Sequence, residues 1–139
     1  MPKVLISDKL SKKAEEIFRK NGIEVTINTA LSPEELSDII NEYDGLAIRS
    51  NTKVTPEIIK HAKNLKVIGR AGIGVDNVDI EAATANGTIV MNTPFGNSIT
   101  TAEHTIALMM ALARNIPIAN TSTHLGKWEK SKHTGTELY

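Results

Sequence analysis

Short aliphatic runs alternate along this chain with longer amphipathic segments, and this alternation is the feature that most limits its fold. Parallel strands joined by crossover helices produce such a pattern. The sequence therefore predicts an α/β domain with a flavodoxin-like open parallel five-stranded sheet and helices on both faces, followed by a long helix. The predicted strands are residues 4–7, 23–27, 45–48, 66–69 and 88–91.

Capping residues mark where the intervening helices begin and end. Ser32-Pro33 and Thr55-Pro56 each place an N-cap residue before a proline of the first helical turn. Two further helices are predicted over 11–21 and 79–86, the second closed by Gly87. In the first of these, Ala14, Ile17 and Phe18 recur at helical spacing and are expected to face the core.

The segment from Ser98 to Arg114 predicts a long helix that is apolar on nearly every side. A helix of this kind needs neighbours on more than one face. Five strands already covered on both faces offer it little room, so we expect its partner surface to lie beyond residue 139 and the chain to be a fragment.

Composition narrows the class of partner. Sixteen basic residues balance sixteen acidic ones among 139, and no Lys/Arg-rich block appears. We therefore expect no nucleic-acid or membrane partner, but a small molecule or another protein. The absence of cysteine fits a reducing compartment, and we expect a cytoplasmic protein. No two of the four histidines lie at the spacing of a zinc site, so no metal is expected.

Three loops at the carboxyl ends of the predicted strands carry polar groups, and in an open parallel sheet ligands bind at these ends. After the third strand, Arg49 and Ser50 offer a guanidinium and a hydroxyl to a carboxylate or phosphate. The alternative is an exposed arginine paired with a surface acid. Asp8, after the first strand, suggests a phospho-receiver domain, but such a module needs an aspartate where Arg49 stands.

The loop after the fourth strand contains Gly72, Ile73 and Gly74, where a tight turn can present N–H groups to an anion. Asn77 stands where a dinucleotide fingerprint needs its third glycine, which disfavours pyrophosphate binding. A carboxylate-binding nest and a plain tight turn remain as alternatives. In the third loop, Asn97 can donate to a substrate carbonyl, or Asn97 or Ser98 can merely cap the long helix.

Several strings of this sequence resemble the D-isomer-specific 2-hydroxyacid dehydrogenase family, in order and with matching gaps. The most specific is Gly69–Asp79; the others are 3–8, 49–55, 91–98, 126–129 and 135–138. The resemblance implies NAD as cofactor and oxidation of 3-phospho-D-glycerate to 3-phosphohydroxypyruvate, in L-serine biosynthesis. It also implies a substrate-binding domain over 1–96, the start of an NAD-binding domain over 97–139, and a homo-oligomer at full length.

Carried over by position, the resemblance implies six substrate-binding residues: Arg49, Ser50, Gly72, Ile73, Gly74 and Asn97. Ile73 also borders the nicotinamide. The family's catalytic Arg, Glu and His match nothing in these 139 residues, so no catalytic residue is assigned and the isolated chain is expected to be inactive. The alternatives are another D-2-hydroxyacid or formate dehydrogenase, and a non-catalytic truncated interaction module.

Overall fold

A computed structural model describes residues 1–139, which divide into two compact units, Met1–Gly96 and Asn97–Tyr139. The strands are β1 Lys3–Ile6, β2 Glu24–Ile27, β3 Gly45–Ile48, β4 Val67–Arg70 and β5 Ile89–Met91. The helices are α1 Lys12–Lys20, α2 Pro33–Ile39, α3 Pro56–His61, α4 Ile80–Asn86, α5 Ser98–Ala113 and α6 Ile116–His124. Short 3-10 turns cover Ile40–Glu42 and Lys130–His133.

The five strands form one parallel sheet in the order β2-β1-β3-β4-β5. This order is the flavodoxin-like one, which confirms the predicted fold class. From β1 the chain moves outward to β2 on one side and, later, through β3 to β5 on the other. The switch point therefore lies between β1 and β3, where open α/β sheets bind their ligands.

Successive strand side chains point to opposite sides, and helices pack against both faces of the sheet, although Ile89 and Met91 of β5 stay exposed. Leu5, Leu46 and Ile68 belong to the larger core, which α2, α3 and α4 cover with residues such as Leu36, Ile58 and Ala83. The smaller core on the other face consists of Val4, Ile6, Val25 and Ala47, packed against Phe18 of α1.

The helices of the first unit begin and end where their capping residues predict. Ser32 and Glu35 form a full capping box on α2, with bonds of 3.2 and 2.7 Å. Thr55 caps α3, and Gly87 ends α4 in the left-handed region at φ 77°. One expectation for α1 is wrong: the Ile17 side chain is 59% exposed, so only one edge of this helix contacts the sheet.

The second unit contains α5 and α6. No residue of α5 is buried, although the helix is apolar. Asn115 adopts a left-handed conformation at φ 54° between the two helices. The sequence patterns considered above do not predict α6, which begins directly after Asn115. In the same unit the N–H of Thr136 donates to the last α5 carbonyl, that of Ala113, at 2.7 Å. No helix of the chain combines the length and apolarity needed to cross a membrane.

A carboxylate joins three strands at the amino edge of the sheet, opposite the switch-point loops. Asp44 precedes β3 and accepts a 2.9 Å hydrogen bond from the Lys3 N–H and a 2.6 Å bond from the Lys66 ammonium. The Lys66 bond, followed by the Lys3 bond, lowers the pKa of Asp44 from its ordinary value of 3.8. Asp44 therefore stabilises this edge in its ionised form.

Candidate functional site

The candidate site lies at the carboxyl edge of the sheet in the first unit. The register pairs Ile6 with Ala47 and Ile48 with Arg70, so the chain leaves these three strands at nearly the same level. Because the strands are parallel, the loops that follow them gather at this one edge. Two loops matter most here: the arginine loop, residues 49–52, and the glycine loop, residues 70–77.

The arginine loop is held from one side by Asp8. This aspartate is 3% exposed, and one of its carboxylate oxygens accepts the N–H groups of Arg49 at 2.6 Å and Thr52 at 3.2 Å. The hydroxyls of Ser7 and Thr52 add a 2.9 Å hydrogen bond. The loop is thus tied to the end of β1 across the switch point.

Arg49 is exposed. None of the five ion pairs of the chain includes it. The alternative that Arg49 pairs with a surface acid is therefore wrong, and the guanidinium remains available to an external anion. Ser50, also exposed, lines a surface cavity of about 480 Å³ together with Lys53 and Asp76.

Asn77 holds the arginine loop from the other side. Its amide nitrogen donates to the carbonyls of Arg49 at 2.7 Å and Thr52 at 2.6 Å. A backbone bridge between Val54 and Val78 continues the same connection. The residue that interrupts the dinucleotide fingerprint therefore joins the glycine loop to the arginine loop.

Gly72 of the glycine loop lies against the side chain of a neighbouring arginine. Neither Gly72 nor Gly74 has a positive φ, so the loop contains no left-handed residue and no nest of alternating hand. The Arg70 side chain, 11% exposed, folds under the loop and donates to the Gly74 carbonyl. A Cβ on Gly72 would lie 2.5 Å from Arg70 Nη1. Glycine at position 72 thus makes room for a neighbouring side chain.

The loop after β5 holds the glycine loop at its other end. Asn92 donates its side-chain amide to the Ile73 carbonyl at 2.7 Å, and the Thr93 N–H donates to the Gly72 carbonyl at 2.9 Å. The N–H of Gly72 is bonded to the Arg70 carbonyl, whereas those of Ile73 and Gly74 have no acceptor within the chain. Two adjacent N–H groups are consequently available to an anion.

Asn97 opens the second unit, immediately before α5. Its backbone carbonyl accepts the Thr101 N–H at 2.9 Å, but its side chain makes no capping hydrogen bond, and neither does that of Ser98. The alternative that these side chains cap the helix is therefore wrong. The Asn97 amide keeps its hydrogen-bonding capacity for another partner.

The histidines do not gather into a site. His124 contacts the Asn120 carbonyl of its own helix at 2.9 Å, and His61 bonds to the Ser37 hydroxyl. No group of three or more His, Asp or Glu side chains in the chain is arranged to hold a metal ion.

A known protein family matches almost the whole chain. The family described as D-isomer specific 2-hydroxyacid dehydrogenase, catalytic domain, matches residues 4–134. The chain belongs to this dehydrogenase family. The resemblance found in its motifs is thereby confirmed over almost the whole chain.

Several curated relatives of the chain carry the name D-3-phosphoglycerate dehydrogenase. The D-3-phosphoglycerate dehydrogenase of Archaeoglobus fulgidus is 54% identical over 98% of this chain and 26% of its own length. A solved structure from Pyrococcus horikoshii has a TM-score of 0.84 at 36% identity, covering 93% of this chain and 38% of that one. The NAD⁺-bound 3-phosphoglycerate dehydrogenase of Entamoeba histolytica has a TM-score of 0.69 at 35% identity, covering 81% and 39%. The chain spans about a quarter of the length of the curated relatives it matches.

Four residues that hold the loops at the carboxyl edge were not among the predicted substrate-binding residues: Asp8, Asn77, Asn92 and Thr93. They act on backbone groups of other loops, up to 44 residues away in the chain. No local sequence pattern predicts hydrogen bonds to backbone groups so distant in the chain. The one available signal was the position of Asp8 and Asn92 just after strands β1 and β5, where polar side chains meet the neighbouring loops.

Proposed function

We propose that this chain is the substrate-binding part of an NAD-dependent enzyme that oxidises 3-phospho-D-glycerate to 3-phosphohydroxypyruvate, in L-serine biosynthesis. Residues 1–96 form its substrate-binding domain, and residues 97–139 begin its NAD-binding domain. The shared name of the curated relatives supports this substrate. The observation that carries the proposal is the exposed Arg49 guanidinium, free of ion pairs, on a loop held at the switch point of the sheet.

The substrate has two anionic groups, and the edge offers two sets of donors. Arg49 supplies a planar fork that suits carboxylate and phosphate oxygens, and the Ser50 hydroxyl adds a further donor. The unpaired N–H groups of Ile73 and Gly74, on the loop that Gly72 begins, suit the carboxylate. Because Asn77 ties the two loops together, their donors are held at a fixed separation.

The cofactor contacts few residues of this chain. When bound, NAD supplies the acceptor of the hydride removed from the substrate carbon. The Ile73 side chain, 43% exposed on the glycine loop, is an apolar surface that fits the edge of a nicotinamide ring. We further propose that Asn97, whose amide is uncommitted, lies beside the reacting carbon in the complete enzyme. No residue of these 139 is assigned a proton-transfer role.

The proposal is tested by titrating the ¹⁵N-labelled chain with 3-phospho-D-glycerate, D-lactate and formate while recording its amide spectrum. We expect 3-phospho-D-glycerate to bind most tightly and to shift the amides of the arginine and glycine loops. Arg49→Ala should weaken its binding about 10- to 100-fold, the range expected for the loss of a charge-assisted bidentate contact. Arg49→Lys should fall between the two, since an ammonium keeps the charge but loses the fork.

The matched control is Arg19→Ala, which removes another exposed arginine, one that pairs with Glu15 on α1. It should leave the affinity unchanged. Tighter binding of D-lactate or formate would assign the chain to another 2-hydroxyacid or formate dehydrogenase. An unaltered affinity in Arg49→Ala would refute the proposed role of the arginine loop.

A further inference from the structure

We propose that Asp8 is a positioning residue: its buried carboxylate sets the direction of the Arg49 side chain and thereby the affinity for the substrate's anionic groups. This inference rests on the proposed function, because it assigns a role to Asp8 through Arg49. Asp8 itself does not touch the substrate. It places a carboxylate close to the proposed site of the substrate's anionic groups.

Asp8 is 3% exposed and belongs to none of the ion pairs of the chain. A buried carboxylate without a cation destabilises a protein unless its oxygens accept hydrogen bonds. Both bonds that Asp8 receives come from the arginine loop. The carboxylate is therefore committed to this loop.

The N–H groups that Asp8 binds belong to Arg49 and Thr52, the first and last residues of the arginine loop. The carbonyls of the same two residues accept the amide of Asn77. All four polar backbone groups at the ends of the loop are thus fixed by two side chains from different loops. With both ends fixed, the Cα–Cβ direction of Arg49 is fixed as well.

A long arginine side chain loses conformational entropy when it binds an anion, and a fixed backbone reduces the number of directions that must be excluded. Charge-assisted hydrogen bonds such as those to Asp8 are stronger than neutral ones. The neutral isostere Asp8→Asn should therefore loosen the loop while keeping the shape of the side chain.

The test is a double-mutant cycle on the 139-residue chain, with 3-phospho-D-glycerate as ligand and the amide spectrum as readout. Asp8→Asn should weaken binding about fivefold, a typical coupling between neighbouring groups, and should add nothing further in the Arg49→Ala background. The amide protons of Arg49 and Thr52 should also lose their downfield shift, a signature specific to these two bonds. Asp38→Asn, an exposed carboxylate on α2, is the charge-matched control and should change none of these values.

Equal weakening in the presence and absence of Arg49 would overturn the inference, since Asp8 would then act independently of the arginine. An unchanged affinity in Asp8→Asn, with Arg49→Ala still weakened, would also overturn it and leave the proposed function intact. If Arg49→Ala binds normally, the proposed function fails instead. Should Asp8→Asn not fold, Asn77→Ala loosens the same loop from its carbonyl side and is carried through the same cycle with the same expected outcome.

Discussion

Replacing Asn77 by aspartate tests the hydrogen bonds that join the two loops without changing the size of the side chain. The Asn77 amide nitrogen donates to two carbonyls at 2.7 and 2.6 Å. A net value of about 1 kcal/mol per bond predicts that Asn77→Ala lowers the free energy of unfolding by about 2 kcal/mol. Asn77→Asp should lower it further at pH 7, because it places a carboxylate oxygen against the same two carbonyl oxygens. For a domain of this size, 2 kcal/mol lowers Tm by roughly 8–16 °C.

Thermal unfolding followed by far-UV circular dichroism measures these changes, and hydrogen exchange of the strand amides assigns them to the first unit. Asn51→Asp is the matched control, because it introduces the same charge into the arginine loop at an exposed residue without side-chain hydrogen bonds. The deficit of Asn77→Asp relative to the unmodified chain should narrow below about pH 4, since a protonated carboxyl can again donate one bond. An Asn77→Asp variant as stable as the unmodified chain at pH 7 would refute the assignment of these bonds.

Three further changes test other parts of the structure. Gly87→Ala, at φ 77° with open space around the added Cβ, should cost about 1 kcal/mol of backbone strain, measured by urea denaturation. Gly135→Ala, at φ 67°, also places its Cβ against the backbone at the end of α5, so it should cost about 3 kcal/mol of stability. Hydrogen exchange in the second unit measures this cost, and a cost equal to that of Gly87→Ala would contradict the packing around Gly135. The lowered pKa of Asp44 means that its stabilisation is complete above pH 3.8 and is lost as the pH falls through its folded-state pKa, so Asp44→Asn should flatten the acid limb of the Tm profile. A Lys66→Met variant should flatten the same limb, because the Lys66 bond is the largest cause of that lowered pKa.

The sheet could be predicted because its information is local. Aliphatic runs marked all five strands to within one residue, and Ser32, Thr55 and Gly87 marked helix ends that the structure confirms. The helix α6 was missed because its start depends on Asn115 taking a left-handed conformation, which asparagine adopts only in some contexts. The exposure of Ile17 was missed because helical spacing alone does not say how much sheet a helix finds to cover.

The sequence indicated exposed candidate residues at the carboxyl edge, but not the residues that hold their loops in place. Arg49 stood out because a guanidinium directly after a strand has an evident use. The hydrogen bonds of Asp8 to the arginine loop could not be predicted, because its partners are backbone groups 41 and 44 residues away that have no sequence signature. For Gly72 the spacing predicted a tight turn, and the structure adds a contact that the spacing could not predict, the packing of Arg70 beneath it.

The packing of Arg70 under the glycine loop predicts that positions 70 and 72 constrain each other. While Arg70 keeps this position, a Cβ at residue 72 would require its guanidinium to move. A short side chain at position 70 would vacate that volume, and larger residues would then be tolerated at position 72. In related sequences, substitutions at positions 70 and 72 should therefore occur together. A sequence without the glycine should have a shorter side chain at position 70, and need not have lost its anion site.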